Sequence, residues 1–183
     1  ARMDMPLLLE RFEENPFLSN FYTDRERYAF QTEIFFLLNR YRQQQSDIAP
    51  ALQPPGVVSD YLFAKTRLFA GMNLRGDEWD LFLQIYDALQ QQVARPDLVI
   101  YLRASVDTLM SRIYQRDRQF ERGMERSYIA QLAVTYDAFF KTFTASPLLT
   151  LDTDNLDLVR DPSAQDAVIA EIAGTLSAAN ADD

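Results

Sequence analysis

Short apolar runs alternate with longer segments in which apolar positions recur roughly every three to four residues along this 183-residue chain. Leu7-Leu8-Leu9, Gly56 to Asp60, Asp97 to Leu102 and Pro147 to Asp152 are nearly all apolar and read as strands. Such strands are covered by helices on both faces, the habit of parallel sheets. Between them the periodicity predicts helices over Asp24 to Gln45, Leu62 to Asn73, Asp77 to Val93, Ser105 to Arg118, Glu125 to Phe143 and Ser163 to Leu176. Asp24, Asp77, Ser105 and Ser163 are the expected N-caps. Ser46 to Gly56, with Pro50, Pro54 and Pro55, reads as a loop between helix and strand. The alternation predicts an α/β fold with a parallel sheet.

Composition narrows the chemistry. With 48% hydrophobic and 13% aromatic residues the chain can bury a full core, and residues 1–183 are expected to form a single domain. It has no cysteine and no histidine, which removes thiolates, disulfides and the commonest general base, so acid–base work falls to carboxylates. A net charge of -9 argues against a nucleic-acid polymer as partner, but not against a small anion in a local basic pocket. No apolar run is long enough to cross a bilayer and the first residues lack a signal-peptide pattern, so a soluble, cytoplasmic protein without a membrane partner is expected.

The local basic feature is the run Arg112-Ile-Tyr-Gln-Arg116-Asp-Arg118-Gln-Phe-Glu121-Arg122 at the end of a predicted helix. Arg112 and Arg116 fall four residues apart on one face, where like charges repel unless an anion bridges them. Guanidinium forks grip phosphate oxygens bidentately and never deprotonate, which suits a clamp on a transferring phosphoryl group. The competing reading is a solvated helix end with arginines near the negative pole of the dipole. From the run alone the two readings weigh equally.

In parallel α/β sheets ligands bind beyond the carboxyl ends of the strands, and the residues there are acidic. Leu7-Leu8-Leu9 runs into Glu10, Val57-Val58 into Ser59-Asp60-Tyr61, and Leu149-Thr150-Leu151 into Asp152-Thr153-Asp154. A carboxylate there serves as general base, magnesium ligand or cap of the next helix. For Asp152 and Asp154 the cap or loop role is favoured; for Glu10 no such role offers itself.

These blocks, in this order, resemble the deoxynucleoside kinase family, in particular its bacterial deoxyadenosine/deoxyguanosine kinase branch. Glu10-Arg-Phe-Glu-Glu-Asn15-Pro16-Phe-Leu and Phe21-Tyr22-Thr-Asp24-Arg-Glu-Arg-Tyr28-Ala-Phe30-Gln31 look like the strand-end glutamate and substrate-binding helix, Arg112 to Glu121 like the lid, and Pro147 to Asp152 like the last strand and base loop for ATP. The resemblance implies a P-loop kinase-like three-layer α/β/α fold with a helical lid, and transfer of the ATP γ-phosphate to the 5'-hydroxyl of a deoxynucleoside, more a purine than a pyrimidine one, with Mg2+. It implies Glu10 as the base taking the hydroxyl proton, Tyr22 and Glu121 on the sugar 3'-hydroxyl, and Gln31 on the base edge between Phe30 and Phe69. Arg116 and Arg118 would hold the phosphates with Arg112 in support, Asp60 would bind magnesium, and Asp152 and Asp154 would lie at the ATP base. From periodicity alone Phe30 and Phe69 are core residues.

The sequence departs from the family twice. The family follows its second-strand acid with arginine; here Tyr61 follows Asp60, and Lys65, one helical turn on, is the expected substitute cation. The family also begins with a strand and the phosphate-cradling loop GxxxxGK[ST]. No such stretch occurs here: the chain opens at Ala1-Arg-Met-Asp-Met-Pro6 and has 5 glycines. The expectation is that the N-terminal strand, loop and first helix are missing from this sequence, and that the chain alone has little kinase activity.

Two other functions remain in view: a nucleoside monophosphate kinase of the thymidylate type, and a non-catalytic binding subunit with a kinase fold. A monophosphate acceptor calls for basic residues near Glu10 to Asn15, and that segment is acidic. Glu33 to Leu38 and Leu81 to Tyr86 are apolar over much of the helix circumference, which is expected of a homodimer formed through helices.

Overall fold

The structure, a computed structural model, describes residues 5–51 and 56–179. The chain divides into two compact units, residues 1–94 and 95–183.

In the first unit Leu7–Leu8 (β1) pairs in parallel with Val58–Ser59 (β2), Leu7 opposite Val58 and Leu8 opposite Ser59. Leu18–Thr23 (α1) and Arg25–Gln43 (α2) follow β1. Asp24 caps α2 as expected, its carboxylate accepting from the Arg27 amide at 3.2 Å. The predicted loop after α2 is instead helical as far as Ala51, through a π-turn over Gln44–Ile48 and a short helix Ala49–Ala51 (α3). Ala49 donates to the Gln44 carbonyl five residues back, which widens the helix just ahead of Pro50. A regular α-helix would set the Pro50 ring against a carbonyl four residues back. Pro54 and Pro55 lie outside the described residues.

Lys65–Asn73 (α4) and Gly76–Gln90 (α5) complete the unit. The core gathers Phe21, Ala29, Leu37, Phe63, Ala70, Leu74, Phe82 and Tyr86, with Trp79, Phe82 and Tyr86 stacked in series along α5. Ala29 and Leu37 recur at helical spacing along α2, which turns one stripe of that helix inward. The expected cap at Asp77 is not used: α5 starts one residue earlier, after Arg75, and Asp77 and Glu78 occupy the first turn, where carboxylates suit the helix dipole.

In the second unit Val99–Arg103 (β3) pairs in parallel with Leu148–Asp152 (β4) over five residues, Val99 opposite Leu148 and Arg103 opposite Asp152. Val106–Arg116 (α6), Arg126–Lys141 (α7) and Pro162–Ala179 (α8) are the helices. Ser105 caps α6 by accepting from the Thr108 amide at 3.3 Å. Asp117 ends the helix with φ of 46°, a left-handed conformation that an Asp tolerates better than most residues. Asp161, not Ser163, caps α8, accepting from the amides of Ser163 and Ala164.

The strands are parallel as predicted. Leu7, Leu9 and Val58 in the first unit and Ile100 and Leu102 in the second are exposed. Each pair is two strands wide among the described residues, and Val99, Leu149 and Leu151 are buried.

Candidate active site

The carboxyl end of β1 delivers Glu10, and the loop behind it is bound to its neighbours by polar contacts. The Glu10 amide donates to Asp60 Oδ1 at 2.7 Å, which ties the ends of β1 and β2 together. From the buried face of α2, Gln43 donates to the Leu9 carbonyl at 3.1 Å and Asn39 to the Arg11 carbonyl at 3.2 Å. The loop therefore has a defined backbone, and the Glu10 side chain points where two cations meet it. Arg40 reaches Oε1 through Nε and Nη2, each at 2.5 Å, and Lys65 Nζ lies 3.3 Å from Oε2. The Glu10 and Arg40 side chains are 11% and 4% exposed, so little water screens the pair.

The electrostatics follow from burial against charge. Burial pushes the Glu10 carboxyl up, but the charges and hydrogen bonds of Arg40 and then Lys65 outweigh it and hold the group below its ordinary value. Burial pulls Lys65 down, partly against the Glu10 charge. Glu33, two helical turns before Arg40 on α2, has the opposite fate. Burial pushes it up to about 7, although Asn73 donates to its Oε1 at 2.7 Å and the Arg40 and Lys65 charges oppose the rise. Its Oε2 has no hydrogen-bond partner. This unit thus holds one largely buried carboxylate and one buried carboxyl that gives up its proton only as pH passes about 7.

In the second unit, Glu121 is 7% exposed and takes a two-donor fork from Arg116, with Nη2 at 2.8 Å and Nε at 3.1 Å. Arg118 Nη1 stands 3.7 Å away. The arginines themselves are 46% and 37% exposed. Arg112 is used differently: it donates to the Thr153 hydroxyl at 2.8 Å and the Thr153 carbonyl at 2.6 Å, which fastens α6 to the end of β4. Arg122 pairs with Asp117 at 2.8 Å. Each arginine of the run therefore has an internal partner, and these partners answer the repulsion that the sequence alone assigns to a bridging anion.

Asp60 engages the Glu10 amide through one carboxylate oxygen and is exposed. Lys65, the cation expected in place of the family's arginine, is paired with Glu10. Tyr61, at the departure itself, is buried, and its hydroxyl donates to the Arg40 carbonyl at 3.4 Å. Tyr22 and Phe30 pack against the core of the first unit, and the Lys65 ammonium sits 5.5 Å from the Phe69 ring centre. Gln31 is exposed, on the opposite side of α2 from the buried Glu33. Asp154 caps the start of α6 through the Ser105 amide at 2.7 Å, and Asp152 accepts from the Asp154 amide at 3.1 Å, the cap and loop roles favoured from sequence.

Sequence reading missed Arg40, Glu33, Thr66 and Asn73. A signal was present: Ala29, Glu33, Leu37 and Arg40 share one helical stripe, so two charged residues lie in register with the apolar face of α2.

Comparison with known proteins decides the family: its sequence model, described as deoxynucleoside kinase, matches residues 2–177. The chain belongs to the deoxynucleoside kinase family. A deoxyguanosine kinase of Bacillus subtilis is 34% identical over 178 residues, covering 93% of this chain and 85% of the relative. A deoxyadenosine kinase of Lactobacillus acidophilus is 32% identical over 177 residues, 89% of this chain and 80% of the relative. Among solved structures, the deoxyadenosine kinase from M. mycoides with bound dCTP superposes with a TM-score of 0.79 at 21% identity, over 94% of this chain and 88% of that one. The same enzyme with bound dATP gives 0.78. The fold is accordingly the α/β fold of P-loop kinases, and the family's chemistry is ATP-dependent phosphoryl transfer to a deoxynucleoside.

Proposed function

We propose that this kinase phosphorylates the 5'-hydroxyl of a purine deoxynucleoside in cytoplasmic nucleotide salvage, with Glu10 as the base. One observation carries the reading: a buried carboxylate at a strand end, kept charged by Arg40 and Lys65. Phosphoryl transfer asks little covalent chemistry of a protein, but a fixed carboxylate orients the attacking hydroxyl and collects its proton as the new P–O bond forms. Arg116 and Arg118, half-exposed on Glu121, hold phosphate oxygens, and Tyr22 binds the sugar 3'-hydroxyl. Phe30 and Phe69 flank the base.

The base-edge role passes from the exposed Gln31 to Glu33. A protonated carboxyl offers one donor and one acceptor, the complement of an amide, and Glu33 has an oxygen with no partner. Relatives named for deoxyguanosine and deoxyadenosine support the purine preference. Magnesium, which neutralises phosphate charge when bound, fits the exposed carboxylate of Asp60, since Mg2+ takes one or two carboxylates with the substrate's own phosphates. Exposed Leu38 on α2 and Leu81 on α5 are the contacts proposed for a homodimer.

Calorimetric titration with deoxyadenosine, deoxyguanosine and their monophosphates tests the reading. Binding of the nucleosides in preference to their monophosphates is expected, weakening as pH rises through about 7, where Glu33 loses its proton. Tighter binding of a monophosphate would transfer the protein to the monophosphate kinases, and no binding of any of the four would point to a non-catalytic subunit.

A further inference from the structure

Arg40 belongs to none of the sequence blocks that mark the site, yet its guanidinium has more defined partners than any other near Glu10. Nε and Nη2 close on Glu10 Oε1, Nη1 donates to the Thr66 hydroxyl at 2.8 Å, and the plane lies 5.0 Å from the Phe36 ring centre. Thr66 is fully buried, and the Arg40 backbone carbonyl accepts from the Tyr61 hydroxyl. A side chain fixed at both ends and over its face has one rotamer, and it passes that constraint to whatever it holds.

We propose that Arg40 is a positioning residue for phosphoryl transfer, fixing the rotamer of the Glu10 carboxylate from α2, while Lys65 supplies a second, looser cation. The proposal rests on Glu10 being the base. Lys65 makes a single contact at 3.3 Å and is 25% exposed, so alone it leaves the carboxylate free to turn. The other titratable groups acting on this ensemble are Asp60, whose carboxylate takes the Glu10 amide, Tyr61, and the buried Glu33. None of these three is a cation, so none can replace Arg40.

The test compares steady-state kinetics of the native enzyme with Arg40→Gln, Arg40→Lys and Thr66→Val, each alone and combined with Glu10→Gln. Arg40→Gln should lower kcat by about tenfold or more with little change in KM for the nucleoside, because a carboxylate free to turn is misplaced at the attacking hydroxyl. Arg40→Lys should recover only part of kcat, because it lacks the planar fork that spans Glu10 and Thr66. Thr66→Val, a nearly isosteric change that leaves Arg40 in place, should lower kcat the same way by less, and it keeps the question answerable if Arg40→Gln does not fold. In the Glu10→Gln background neither change should lower kcat further. An unchanged kcat in folded Arg40→Gln, or in Thr66→Val where Arg40→Gln is unfolded, overturns the proposal, as does a full further loss in the Glu10→Gln background. Full turnover in Glu10→Gln alone removes Glu10 as base, and so separates the failure of that reading from the failure of this one.

Discussion

Two carboxylates, the largely buried Glu10 in the first unit and the buried Glu121 in the second, are each met by two cations, yet the two clusters differ in how those cations are held. At Glu10 the principal cation is itself buried, with Arg40 only 4% exposed and held by Thr66 and Phe36. At Glu121 the carboxylate is buried but Arg116 and Arg118 reach it from water. A buried pair cannot lose one partner without stranding a charge, whereas an arginine near the surface can leave its carboxylate for another anion at modest cost. The first arrangement holds a geometry, and the second can release its cations to another anion.

The sharpest way to break this contrast is at Glu10. Glu10→Gln is expected to lower kcat of the native enzyme by about 10²–10⁴-fold with a much smaller change in KM, and steady-state kinetics would show whether the carboxylate matters at all. Next comes stability: urea unfolding of Arg40→Met should show a loss of roughly 3–5 kcal/mol, against about 1 kcal/mol or less for Arg116→Met. Equal losses for the two variants would erase the distinction between a fixed and a releasable cation.

A third prediction uses Glu33 and its sign. The folded protein binds the Glu33 proton more tightly than the unfolded chain, from an ordinary 4.5 up to about 7. The stability this contributes is whole below about pH 4.5 and drains away as pH rises through 7. Across that window the loss is on the order of 3 kcal/mol, and Glu33→Gln should remove it, which unfolding free energies at pH 5 and pH 8 will measure. Glu10 runs the other way: its depressed value adds stability above the unfolded value that is lost in acid.

The two clusters were not equally legible in the sequence. Glu10 stood out because an acid directly after Leu7-Leu8-Leu9 has no structural excuse, and Lys65 because Tyr61 left a cation missing. The arginine run was visible as a run, but its internal pairing was not: Arg112 to Thr153 spans 41 residues, and no local pattern announces so distant a partner. The resemblance points to Gln31 alone, while the phase of α2 turns Gln31 outward and Glu33 inward. The parallel pairing of the strands followed from their apolar runs.

Arg112 bears on how the lid arginines can act. Anchored at the Thr153 hydroxyl and carbonyl, with the same hydroxyl and the Thr153 amide both donating to the Arg103 carbonyl, it rivets the middle of α6 to the ends of β3 and β4. Arg116 and Arg118 lie beyond that rivet, next to the left-handed kink at Asp117. Swinging them toward an incoming anion therefore asks for a bend at the kink, with the body of the helix staying pinned.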